Sequence, residues 1–117
     1  MTVLFDSSAW LEYFFGSKKG EKIQYLIEKE NNIIISKINI FEVYNKILRE
    51  LNREEAEKFT SFIIFKSTVD DFDIETIKLA AVEKNKLKFG MADAIILATA
   101  LKYNATIYTS DSDFEKA

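Results

Sequence analysis

Four carboxylates stand where an apolar run hands over to a helix or a loop. They are Asp6 in Val-Leu-Phe-Asp-Ser-Ser, Glu42 in Asn-Ile-Phe-Glu-Val, Asp93 in Gly-Met-Ala-Asp-Ala and Asp111 in Thr-Ser-Asp-Ser-Asp-Phe. Carboxylates gathered in one pocket repel one another, which raises their pKa values or recruits a cation. Ligands that offer only oxygen select Mg²⁺ or Mn²⁺. The chemistry to expect is therefore metal-dependent phosphoryl chemistry. Taken singly, each acid has an ordinary explanation as well. Asp6 would cap a following helix, Glu42 lies three residues after Asn39 as a capping-box partner would, and Asp93 would complement a helix dipole. Asp111 and Asp113 suit a turn. Four independent caps give no reason to share one edge of a fold.

Convergence of these acids requires an alternating architecture. Thr2 to Phe5 is a short apolar run that reads as a buried parallel strand, and Ala9, Trp10, Tyr13 and Phe14 recur at helical spacing. Gly16 and Gly20 flank a polar turn, then Ile23, Leu26 and Ile27 mark a second helix. Ile33-Ile34-Ile35 is β-branched throughout and predicts a second strand. Asn39 opens the next expected helix, with Val43, Tyr44, Ile47, Leu48 and Leu51 on its face. Another spans Glu54 to Ile64, and Ser67-Thr68-Val69 is a short strand candidate. Asp73 caps a helix through about Lys84 that carries Ile74, Ile77 and Ala81. Met91 to Tyr103 is a helix with Ala94, Leu97, Ala98 and Leu101 on one stripe, closed by Asn104. Ala105 to Thr109 is the last strand, and it ends at the Asp111 loop. The expected fold class is α/β: one three-layer α/β/α domain over residues 1–117, with a mostly parallel central sheet of four or five strands. Ligands of such sheets bind at the carboxyl ends of the strands. Asp6 and Asp111 follow strand ends, and Glu42 and Asp93 fall in the first turns of helices that start at the same edge.

Composition removes several chemistries. The 117 residues contain no histidine and no cysteine, which excludes histidine acid–base catalysis, His-containing zinc sites, thiol nucleophiles and disulfides. Ser7, Ser8 and Thr109 therefore fit better as groups that orient carboxylates or water than as nucleophiles. Net charge is −3, so no global basic field draws in nucleic acid, and a nucleic-acid substrate needs local cations or a metal. No apolar run approaches the ~20 residues of a membrane span, and the first residues lack a secretory pattern. A cytoplasmic protein is the expectation. Phe59, Phe62 and Phe65 read as mainly core. Adjacent Phe14 and Phe15 cannot both face one interior, which suggests self-association through leftover apolar surface. Asp70-Asp71, Glu54-Glu55 and Glu83 read as solvated acids. Lys18, Lys19, Lys22, Lys84, Lys86 and Lys88 read as solubilising charge, with phosphate contact as the lesser alternative.

Val-Leu-Phe-Asp-Ser-Ser, Ser-Lys-Ile-Asn-Ile-Phe-Glu-Val, Met-Ala-Asp-Ala-Ile-Ile-Leu-Ala-Thr-Ala and Ile-Tyr-Thr-Ser-Asp-Ser-Asp-Phe together resemble the PIN-domain ribonucleases. In size and motifs the chain is similar to the VapC-type toxins of prokaryotic toxin–antitoxin pairs, over nearly its whole length. The resemblance implies a Mg²⁺- or Mn²⁺-dependent endoribonuclease that inhibits translation by cutting RNA (tRNA, rRNA or mRNA). It implies metal binding by Asp6, Glu42, Asp93 and Asp111, with Asp113 auxiliary and with Thr109 and Ser7 shaping the site. It also implies a homodimer and a cognate antitoxin protein whose C-terminal segment plugs the acidic groove. Members usually run on past the Asp-Phe pair into a further strand, whereas this chain stops at Ala117, and residues 50–71 carry no family signature. Two other readings stand beside this one. A Mg-binding, receiver-like signalling domain would carry paired acids after its first strand and a lysine after its last, where this chain has serines and Thr109-Ser110-Asp111. A catalytically silent interaction module would not need four acids.

Overall fold

A short strand, β1 (Val3–Phe5), and the aspartate after it organise the molecule. The computed structural model describes residues 2–16 and 20–109. In chain order, β1 is followed by α1 (Ser7–Phe15), α2 (Gly20–Lys29), β2 (Ile33–Ile35), α3 (Lys37–Glu50) and α4 (Arg53–Lys66). Then come β3 (Thr68–Val69), α5 (Ile74–Leu87), α6 (Met91–Tyr103) and β4 (Thr106–Tyr108). Every described pairing is parallel and the strand order is β3-β2-β1-β4, with Val3 opposite both Ile33 and Thr106.

That order explains the layers. The chain steps from β1 to β2 to β3 in one direction, then returns across the sheet to β4. Right-handed crossovers place the helices of the first two steps on one face and those of the return on the other. Alternation along the strands divides the core accordingly. Val3, Phe5, Ile33 and Ile35 pack with residues of α1 to α4 (Trp10, Ile27, Val43, Ile47, Phe59 and Ile63 among them). Leu4 and Ile34 pack with Ala80 of α5 and with Ala94 to Ala98 and Ala100 of α6. Phe59 sits among the rings of Trp10, Tyr13, Phe14 and Phe62. The three-layer α/β/α expectation with a parallel sheet holds, with four described strands.

Several local expectations change. Helix α3 begins at Lys37 rather than Asn39, because Ser36 is the N-cap and Asn39 its capping-box partner. Glu42 therefore lies in the second turn and belongs to no cap. The buried stripe of α5 is Thr76 and Ala80, flanked by half-buried Leu79, Glu83 and Leu87, while Ile74, Ile77 and Ala81 are exposed. The hydrophobic residues alone had suggested a face rotated from the real one. Helix α6 is buried all round from Ala94 to Ala100, which its small side chains allow, and only Leu101 of the expected stripe is exposed. Phe65 is 88% exposed and is not core. Asp70 is only 1% exposed, against the expectation of a solvated acid. It accepts hydrogen bonds from Lys102 Nζ and Tyr103 Oη at 2.8 Å each and from the Phe72 N–H at 2.9 Å. Lys102 also reaches Asp71 and Asp73, so one ammonium ties the end of β3 to the start of α5. Asp71 and Asp73 themselves stay open to solvent. Burial raises the Asp70 pKa, but the Lys102, Tyr103 and Phe72 hydrogen bonds outweigh it and leave the carboxyl below its usual range.

Candidate active site

The return of the chain from β3 to β4 creates a switch point between β1 and β4, where open α/β sheets bind ligands. Asp6 stands at the carboxyl end of β1 and Thr109 follows the end of β4. Asp6 is the N-cap of α1: its Oδ1 accepts from the Ala9 N–H at 3.1 Å and from Ser8 Oγ at 2.6 Å. Thr109 Oγ1 donates to Oδ2, so a hydrogen bond between residues 103 apart spans the switch point. Asp6 is 4% exposed. A carboxylate offers about four lone-pair sites, and three are engaged here.

Glu42 is fixed by a relay that starts at the α3 cap. Asn39, fully buried, accepts from the Ser36 N–H at 3.3 Å through Oδ1 and donates from Nδ2 to Ser7 Oγ at 3.1 Å. Ser7 in turn donates to Glu42 Oε1 at 2.5 Å. Asp93 sits in the first turn of α6, after Gly90, which supplies no capping side chain. Glu42, Asp93, Ser7 and Ser8 open together onto a cavity of about 430 Å³. Asp6 lies one hydrogen bond behind its wall, through Ser8.

The structure thus brings Glu42 and Asp93 together with Ser7 and keeps Asp6 adjacent, clamped by Ser8 and Thr109. Asp111 and Asp113 lie outside the described residues. Among the described residues no three acids form a group able to hold an ion. The donor set is oxygen throughout, which is the chemistry a hard divalent cation requires. Asn39, Lys46 and Arg49 are site residues that sequence reasoning missed; Lys46 and Arg49 line the same cavity. Their signal was present in the spacing, since Asn39, Glu42, Lys46 and Arg49 follow one another by three or four residues, which on a helix is one stripe. Lys18 and Lys19 lie outside the described residues, and Lys22, Lys84, Lys86 and Lys88 are not among those that line this cavity.

Comparison with known proteins identifies the class. The family model of the PIN domain matches residues 3–117, and the chain belongs to this family. None of the curated protein sequences compared with it matches. Among solved structures, a DNA-bound VapBC from Salmonella typhimurium superposes with a TM-score of 0.83 at 18% identity, covering 98% of this chain and 91% of that one. VapC20 of Mycobacterium tuberculosis, a toxin that cleaves the sarcin–ricin loop, gives 0.80 at 16% identity over 97% and 93% of the two chains. A toxin–antitoxin complex from Klebsiella pneumoniae gives 0.79 at 22% identity, over 97% and 90%. The family match leaves the receiver-like alternative without support. No described helix is long and apolar enough to cross a membrane.

Proposed function

We propose that this chain is a divalent-metal-dependent endoribonuclease acting as the toxin of a toxin–antitoxin pair in the cytoplasm. One observation carries the reading. In a PIN-family chain, Glu42 and Asp93 reach a common cavity from two helices at the switch-point edge of the sheet, and Asp6 lies directly behind. Asp6, Glu42, Asp93 and Asp111 would hold Mg²⁺ or Mn²⁺, with Asp113 auxiliary. Asp111 qualifies by sequence, two residues after Thr109. When bound, such an ion lowers the pKa of water and offsets charge on the scissile phosphate.

The chain's own residues supply the rest. Asn39 and Ser7 fix the carboxylate of Glu42, which can then orient the attacking water. Ser8 and Thr109 hold Asp6 in a single orientation, which spares it reorganisation when charge develops. Attack by water leaves 5′-phosphate and 3′-hydroxyl ends. We further infer a cognate antitoxin that fills the acidic groove, as the toxin–antitoxin complexes among the solved relatives suggest. A homodimer is supported by exposed Ile74, Ile77 and Met91 beside an apolar groove of about 270 Å³ between α5 and α6.

Purified protein incubated with total RNA, with mapping of the new 5′ ends, tests this reading. Cuts bearing 5′-monophosphates that require Mg²⁺ or Mn²⁺, and that vanish with EDTA or in Asp93→Asn, are expected. Cuts that persist in EDTA, or 2′,3′-cyclic phosphate ends, would overturn it.

A further inference from the structure

An acidic site in a protein of net charge −3 repels the polyanion it is meant to cut. Something local must seat the strand. Glu42, Asn45, Lys46 and Arg49 follow one another on α3 at i, i+3, i+4 and i+7, so they share a face, and all four line the cavity with Asp93. Side chains on a helix lean toward its N-terminus, so Lys46 and Arg49 lean toward Glu42. At 1.5 Å rise per residue they lie about 6 and 10 Å along the axis from it. A stacked strand advances ~3.4 Å per phosphate, which sets them roughly two and three phosphates away.

The two cations are differently engaged. Lys46 is held by Glu50 at 2.7 Å. Arg49 is exposed and makes no ion pair among the described residues. Its planar fork matches two phosphate oxygens at once. On the same cavity wall Phe41 is 63% exposed, where an aromatic ring has no packing reason to be. Cations that track a backbone beside an aromatic platform are what single-stranded nucleic acid binds.

We infer that α3 is the strand-seating rail of this protein: Arg49, assisted by Lys46, grips phosphates flanking the scissile bond, and Phe41 stacks a neighbouring base. This inference rests on the nuclease reading and adds to it where the strand lies and which side chains hold it, along one helix. None of the three belongs to the acid set, so the assignment is separable from the chemistry.

The test measures binding of a short fluorescein-labelled single-stranded RNA across a salt series, with Asp93→Asn as the common background so that the strand stays intact. Each single-strand phosphate contact contributes about 0.7 to the slope of log affinity against log salt. Arg49→Gln should lower that slope by ~0.7, and Arg49→Lys should restore most of it. Phe41→Ala should weaken binding roughly tenfold with the slope kept. Lys78→Gln, an equal charge loss on exposed α5, should leave the slope alone. In cleavage assays on the Asp93 protein, Arg49→Gln should raise KM more than it lowers kcat. If the Asp93 protein cuts RNA but Arg49→Gln and Phe41→Ala bind as the background does, the rail is wrong and the nuclease stands. If the Asp93 protein neither cuts nor binds RNA, both fall.

Discussion

Asn39→Ala is the sharpest perturbation of this site that leaves every acid in place. The Asn39 side chain is fully buried and serves two ends, accepting from the Ser36 N–H and donating to Ser7 Oγ. Truncation removes half of a capping box and leaves the buried Ser36 N–H without its acceptor, at about 1–3 kcal/mol, and it takes away the hydrogen bond that Asn39 donates to Ser7 Oγ, at about 1 kcal/mol. Together these come to ~2–4 kcal/mol. Unfolding entropy of ~2.1 cal/mol/K per residue, over 117 residues, is about 0.25 kcal/mol/K. The melting temperature should therefore drop by ~8–16 °C. Ser7→Ala spares the cap but removes both the donor to Glu42 and the acceptor of the buried Asn39 Nδ2, so it should cost ~1–3 kcal/mol, or ~4–12 °C. Both variants free the Glu42 carboxylate and should lower RNA cleavage roughly 10–100-fold. Calorimetry gives the first ranking and initial rates the second. An Asn39→Ala protein melting within ~2 °C of the parent, or a Ser7→Ala protein that melts lower still, would refute the relay.

Asp70 has a depressed pKa in the folded chain, so its stabilisation is complete above the ordinary carboxylate value near ~4 and disappears as pH falls through the folded value. Urea titrations from pH 5 downward should show a steeper loss for the parent than for Asp70→Asn; parallel slopes would contradict the ionic assignment. Lys102→Met leaves Asp70 buried without its cation and should cost ~2 kcal/mol at pH 7, read from the urea midpoint. Phe59→Ala should lose ~3–5 kcal/mol and Phe65→Ser no more than ~0.5, and a reversed order in thermal melts would mean that α4 buries its other face. Mg²⁺ or Mn²⁺ at a hundred times its Kd should add ~2.7 kcal/mol to stability, close to 11 °C by the same conversion. An equal shift in Asp93→Asn would remove that residue from the metal site.

Much of this architecture was written in short-range patterns. Ile33-Ile34-Ile35 has one sensible use, a buried strand, and Met91 to Tyr103 with its following asparagine marked both ends of a helix. Asp6 and Asp93 were legible because each sits beside an element boundary that local chemistry defines. The cap of α3 was misread because Ser36 and Asn39 are both competent caps three residues apart, and only the buried contact with Ser7 distinguishes their roles. Asp70 was misread because its partners, Lys102 and Tyr103, lie more than thirty residues on, beyond any local pattern. Arg49 and Lys46 escaped because basic residues near the end of an exposed helix ordinarily face water, and what sets them apart is the company of Asp93 from another layer.

Thr109 closes on Asp6 only once β4, the final described strand, lies beside the first. A chain still emerging from a ribosome carries Asp6, Ser7 and Glu42 early but lacks α6, and so has no Asp93 to face them. Under the nuclease reading proposed above, this order of assembly works as a safeguard, because a partly made chain holds one half of the acidic pocket without the other.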